Sequence, residues 1–240
     1  MKPRCPRYNE AKLQWRKDLI VGMSYWMLII VTLVIGMAAS GYVNSQLKKY
    51  SKVPSQSGLT GAQAAEKMLR DNGVTGVQVH RGAEGQDHFD PRTNSIALSP
   101  SVYDHSTVTA YATACHEVGH ACQFAQDYTP MKIRGAIVPV VNAASNAWVF
   151  VLLIGILLNI AGFIDLAIIM YAAVVLFQLV TLPVEFNASH RAMDYMKATG
   201  MPQSEVAGSF SVLRACALTY VAAALASLLQ LVYLLGMRND

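Results

Sequence analysis

Residues 116–120 read His-Glu-Val-Gly-His, and no other stretch of the chain is as well equipped for chemistry. A spacing of i, i+4 puts both imidazoles on one face of a helix, where a single metal ion can meet both rings. Imidazole nitrogen suits Zn²⁺, which it binds at about 2.0–2.1 Å. Glu117 lies on the neighbouring face. It is close enough to take a proton from a water that zinc has acidified to a pKa of about 7, and to hand it to a leaving amine. The competing account is two surface histidines flanking a salt-bridging glutamate. The helical spacing of the surrounding residues, from a cap at Ser106 to about Ala125, gives the motif the amphipathic helix it needs.

A hydrolytic zinc needs a third protein ligand and an open fourth position. His80, His88, His105, His190 and several carboxylates are candidates. Glu185 stands out by position, in Leu182-Pro-Val-Glu-Phe-Asn-Ala-Ser-His190 directly after an apolar run. Two such runs separate it from the histidine pair, so both lie on one side of a membrane. Spacing alone leaves Glu185 equally open as a third ligand or as an interfacial charge ending a span. Pro183 either kinks this helix or starts a new one. Gln178, seven residues before Glu185, points along the same face and is placed to orient its carboxylate. Tyr195 is placed to polarise a scissile carbonyl. His105 is about 16 Å from His116 along a helix, too far for a ligand, and reads as a turn or cap residue. His88 lies between Asp87 and Asp90, more a polar loop than a second metal site. Cys115 projects about 100° from His116 and reads as a core residue rather than a nucleophile.

The elements that must carry these side chains follow from composition. Of 240 residues, 53% are hydrophobic and 14% charged, where a soluble domain has about a quarter charged. That excludes an ordinary soluble protein and a disordered one. Residues 19–43, 135–164, 166–184 and 215–237 contain no Lys, Arg, Asp or Glu. Each run is long enough for a hydrocarbon core of about 30 Å, which only helices cross in this form. The expected fold is mainly α and multi-pass, with four transmembrane helices and a small α+β insert between the first and second. The divisions are a basic tail at 1–18, a first span at 19–43, a water-soluble segment at 44–132 and a second and third span within 133–184. An interfacial helix region at 185–212 and a last span with a short tail at 213–240 complete them. Asp165 lies near the turn of the central hairpin. The first run exceeds the usual 7–15 apolar residues of a cleaved signal, so it reads as a retained anchor although Ala38-Ala39-Ser40 mimics a cleavage site. The absence of charge within the runs argues against a pump or carrier.

The net charge is +4. Lys2, Arg4, Arg7, Lys12, Arg16 and Lys17 precede the first run, and Lys48, Lys49 and Lys52 follow it. Basic residues in these places face phospholipid, and no basic-aromatic module accompanies them, so nucleic acid is not an expected partner. The four cysteines form no close pair and no disulfide framework. Within the insert, Thr60-Gly-Ala-Gln63 is a capping box opening a helix that ends near Gly73. Strands are expected at 77–80 and 95–99, with a turn at 90–94 between them. The 95–99 strand is expected to offer a sheet edge to an extended substrate. The insert is too small to build much core alone and should pack on the membrane helices. Asn142, Ser145 and Asn146 share a face of the second span and should hydrogen-bond across helices.

His116-Glu-Val-Gly-His-Ala121, together with Leu182-Pro-Val-Glu-Phe-Asn-Ala-Ser189, resembles the YugP-like family of bacterial membrane zinc metallopeptidases. The likeness runs from the basic stretch after the first run, through Gly58-Leu-Thr-Gly61 and Asp90-Pro-Arg-Thr93, to Leu218-Thr-Tyr-Val-Ala-Ala-Ala224. It covers most of the chain after about residue 45, and the basic tail lies outside it. The Leu-Pro-Val-Glu-Phe block is far more specific than the histidine motif, which many zinc peptidases share. The resemblance implies a zincin-like insert and gluzincin-type chemistry, with His116, His120 and Glu185 on one Zn²⁺ and Glu117 as the catalytic base. Related membrane proteases often carry Glu-x-x-x-Asp, the Asp supporting a zinc-binding histidine; here that position is Ser189. His190 beside it reads as a histidine that supports a ligand or lies at the membrane interface, ahead of a rival ligand or an oxyanion donor.

The expected protein is thus a zinc endopeptidase of the bacterial cell membrane, acting on peptide or protein substrates in contact with lipid, its oligomeric state left open. The competing readings are a non-catalytic zinc-containing membrane binding protein or chaperone, and a channel or transporter with an incidental motif. Six basic residues before the first run favour an external site. The hairpin turn without Lys or Arg, and Lys48, Lys49, Lys52, Lys132, Arg134, Arg191, Lys197 and Arg214 on the site side, favour a cytoplasmic one. The short turn tips the balance to the cytoplasm, because the rule is sharpest for short loops.

Overall fold

The computed structural model describes residues 6–239, with side chains from 24 to 238. The basic tail at 1–18 lies outside the described side chains. The element order is α1 (Pro6–Tyr50), α2 (Gly61–Asp71), β1 (Gln78–Arg81), β2 (His88–Asp90), β3 (Ser95–Leu98), α3 (Pro100–Tyr103), α4 (Val108–Ala125), α5 (Thr129–Leu158), α6 (Ala161–Ala198) and α7 (Gln203–Asn239).

Within the described residues, four helices are long and apolar enough to cross a membrane: Ser24–Tyr50, Thr129–Leu158, Ala161–Ala198 and Gln203–Arg238. α5 and α6 pack along their lengths as an antiparallel hairpin, α7 packs on α6, and α1 packs on α7. The α5–α6 reversal takes only Asn159 and Ile160, with Asn159 left-handed at φ +53°, a conformation Asn tolerates better than most residues. A methyl group on Gly155 would stand 2.9 Å from the Ile164 side chain and backbone nitrogen, so the turn needs glycine there. At that end Arg238 pairs with Asp165 at 2.6 Å. Asn142, Ser145 and Asn146, expected to bond across helices, are instead exposed, with no hydrogen bond among the described residues. The buried residues of α5 are Val141, Ala144 and Gly155.

The smaller elements form one layer over α4. Thr60 caps α2 in a full capping box with Gln63, and the helix closes at Asn72 with Gly73 left-handed at φ +66°. The cap of α4 is Thr107, whose hydroxyl accepts the Ala110 N–H at 3.2 Å. Ser106, the expected cap, stands one residue too early to reach that amide, and its Oγ has no partner among the described residues. The sheet order is β1-β3-β2, with β1 parallel and β2 antiparallel to β3. This corrects the reading of 95–99 as a substrate-pairing edge. The 88–90 stretch, read as loop, forms β2 and occupies that flank, so β3 is central and β1 and β2 are the edges.

Ile96 and Leu98 of β3 are fully buried and join Met68, Tyr111 and Val118 in the main core. The same core takes in Ala192, Met193 and Met196 of α6 and Val206, Val212 and Leu213 of α7. The insert therefore closes its core on the ends of the long helices. Buried Glu205 at the start of α7 adds a polar tie, accepting hydrogen bonds from Ser55 Oγ and the Gln56 N–H, both at 2.9 Å. α6 does not restart at Pro183. It is one helix from Ala161 to Ala198, although proline has no N–H for the Leu179 carbonyl. Glu185 is thus carried by the same helix as the third apolar run.

Candidate metal centre

α4 is rich in small residues and buried on nearly every side, so His120 sits in the interior and His116 is only part-exposed. Their rings meet edge to face, with centroids 4.7 Å apart. Glu185 on α6 points at both: its Oε2 is 3.3 Å from His116 Nε2 and 3.6 Å from His120 Nε2. Ligand atoms of these three residues all lie within 4.8 Å of one another. Two donors each about 2 Å from a tetrahedral ion stand about 3.3 Å apart, so these separations suit one zinc. The donor set, two imidazole nitrogens and one carboxylate oxygen, is that of a three-ligand catalytic site with one position open.

The far side of each ring is also held. His120 Nδ1 is 3.0 Å from Gln123 Oε1, and His116 Nδ1 is 3.2 Å from Ser189 Oγ. With protons on Nδ1, both Nε2 atoms are free to bind metal. Gln123 was not singled out from sequence. It is fully buried, and its amide also donates to the Val184 carbonyl at 2.7 Å and to Asn187 Oδ1 at 3.0 Å. It therefore ties the second imidazole to the helix carrying Glu185. Arg191 continues the tie, from Asn187 at 2.8 Å to Gln126 at 2.7 Å. The only hint in sequence is that Gln123 follows His120 by three, on the same helix face.

Glu117 is buried beside His120, and among the described residues its carboxylate accepts no hydrogen bond. Burial disfavours charge on His120, but Glu185 and Glu117 outweigh it and hold the ring above its ordinary pKa. The centre is thus a negative locus that favours a cation. Arg134 of α5 reaches Glu185 Oε1 at 3.4 Å. From α7, Cys216 and Tyr220 interact electrostatically with Glu117 and Glu185.

Other expected site residues are placed elsewhere. His190 is exposed and pairs with Asp194 at 3.1 Å. Tyr195 donates to Asp71 of α2 at 2.6 Å. Gln178 is half-buried, with no hydrogen bond among the described residues; the partners of the Glu185 carboxylate are the imidazoles and Arg134. His105 faces the Pro100 carbonyl at 3.3 Å. Asp87 accepts from Ser99 and Asp90 from Arg92, so both carboxylates have partners other than a second metal ion. Burial pushes the Cys115 thiol pKa up, which removes it as a nucleophile.

Gly119 fixes the helix spacing that brings the ligands together. A methyl group there would stand 2.6 Å from the Ala188 carbonyl oxygen of α6, one turn from Glu185. Backbone cannot yield as a flexible side chain can, so α4 and α6 must separate. Gly119→Ala is expected to cost about 1–3 kcal/mol of overpacking and to weaken zinc binding while helicity is retained. Chelator-competition titration with circular dichroism checks it; unchanged affinity refutes the spacing argument.

A protein-family model described as "Putative neutral zinc metallopeptidase" matches residues 25–239. A Bacillus subtilis (strain 168) protein described as "Putative membrane protease YugP" is 44% identical over 212 residues, covering 87% of this chain and 94% of its own length. No solved structure matches the chain.

Proposed function

The chain belongs to the family described as "Putative neutral zinc metallopeptidase", and from that premise we propose a multi-pass membrane endopeptidase that hydrolyses peptide bonds with one zinc ion. The observation that carries this reading is the convergence of His116, His120 and Glu185 beside an unengaged Glu117. His116 Nε2, His120 Nε2 and Glu185 Oε2 would hold the ion. Bound zinc supplies Lewis acidity, polarising the scissile carbonyl and lowering the pKa of the attacking water.

The chain does the rest. Ser189 and Gln123 keep both imidazoles in the tautomer that presents Nε2. Glu117 takes the proton of the attacking water on its carboxylate and delivers it to the leaving amine nitrogen. β2 is the edge strand nearest this chemistry, because Phe89 packs on Phe124 of α4 with ring centroids 5.8 Å apart. An extended substrate adds to that edge by main-chain hydrogen bonds.

The four apolar helices cross the bilayer, and the site lies where α6 leaves the hydrocarbon. Arg238, at the opposite end, is paired with Asp165. The hairpin turn at that end has no Lys or Arg, whereas Lys48, Lys49, Lys52, Lys132, Arg134, Arg191, Lys197 and Arg214 stand on the site side, which favours a cytoplasmic site. The test is cleavage of casein by purified protein. Activity is expected to vanish with a zinc chelator and to return on adding zinc. Chelator-insensitive cleavage sinks the proposal; zinc bound without proteolysis favours the non-catalytic reading.

A further inference from the structure

Arg134 stands in the second turn of α5, where a basic residue ordinarily reaches for phospholipid. Its neighbour Lys132 behaves that way, with a side chain 59% exposed and paired with Asp127. Arg134 turns inward instead. Its side chain is 29% exposed, and Nη1 lies 3.4 Å from Glu185 Oε1. The Glu185 side chain is only 3% exposed, and its two oxygens meet different partners, Oε2 the imidazoles and Oε1 the guanidinium.

We propose that Arg134 is a positioning residue for the metal centre: by holding Oε1 it orients the Glu185 carboxylate so that Oε2 is presented to the ion. This rests on the reading of Glu185 as a zinc ligand. The last torsion of a glutamate is broad and two-fold, so an unheld carboxylate offers either oxygen at many angles. A guanidinium on one oxygen removes that freedom, and its planar, always-charged fork suits the task in a half-buried place. Because Arg134 belongs to α5, the centre is gripped by three helices: α4 through the imidazoles, α6 through Glu185 and α5 through this contact.

The role has a measurable sign. A cation this close to the centre repels a divalent ion through space, so as a bystander Arg134 lowers zinc affinity. As a positioning residue it raises it. Zinc affinity of the full chain in detergent is measured by competition with a chromophoric chelator. Arg134→Met is expected to weaken binding about 10–100-fold, the usual effect of losing a group that hydrogen-bonds a metal ligand. Arg134→Lys, which keeps a charged donor, should restore most of the loss. In a Glu185→Gln background, Arg134→Met should no longer weaken binding and should leave it unchanged or tighter, because the group it orients is gone and only its repulsion remains.

Arg134→Met protein that binds zinc as tightly as the parent, or more tightly, overturns the proposal. So does an equal loss in both backgrounds, which marks general loosening. If Arg134→Met fails to fold by circular dichroism and gel filtration, Arg134→Gln reads the same sign. A parent chain that takes up no zinc fails the metallopeptidase reading itself, whereas a parent that binds zinc with the wrong sign at Arg134 fails this proposal alone.

Discussion

Glu117→Gln protein should bind zinc as the parent does and lose about 10²–10⁴-fold in turnover, the range that one positioned acid–base group contributes. Glu117 lies next to the first imidazole in sequence and acts on His120 through its charge, but it is not one of the three clustered donors, His116, His120 and Glu185. The amide has the same shape as the carboxylate, so the packing of α4 survives the exchange. What it cannot do is take up the proton of the attacking water. Zinc content by metal analysis and initial rates on casein separate the two effects. Cleavage at the parental rate by zinc-loaded Glu117→Gln protein removes Glu117 from the mechanism.

Glu185→Ala should do the opposite and strip the metal. It removes one of three donors, so affinity should fall beyond the roughly 100-fold that losing a group that hydrogen-bonds a metal ligand costs at most. It also leaves Arg134 facing two imidazoles with no carboxylate between them, an arrangement that repels a divalent ion. Helicity by circular dichroism guards against simple unfolding. Unchanged zinc stoichiometry and affinity in this variant exclude Glu185 from the ligand set.

The two results separate a base from a ligand, a difference that composition alone does not reveal. Both residues are buried glutamates near His120. Glu185 is within 3.6 Å of the imidazole nitrogens, whereas Glu117 interacts with His120 through charge alone.

The sequence by itself determined whatever depends on local repeat. The i, i+4 spacing of His116 and His120 places both rings on one face of any α-helix, because 3.6 residues make a turn. Uninterrupted apolar runs fixed the four long helices, and Thr60 with Gln63 fixed the start of α2. Tertiary structure decided everything that joins distant segments. It set Glu185 against the imidazoles across 69 and 65 residues of chain, where parity of apolar runs gave only a shared side. It turned Arg134 inward, put Gln123 between the two ligand-bearing helices, and slid β2 beside β3 to make the expected edge strand central. The physical reason is that periodicity states which way a side chain points from its own helix or strand. What it meets there depends on how closely backbones approach, and that is settled by contacts such as Gly119 against Ala188.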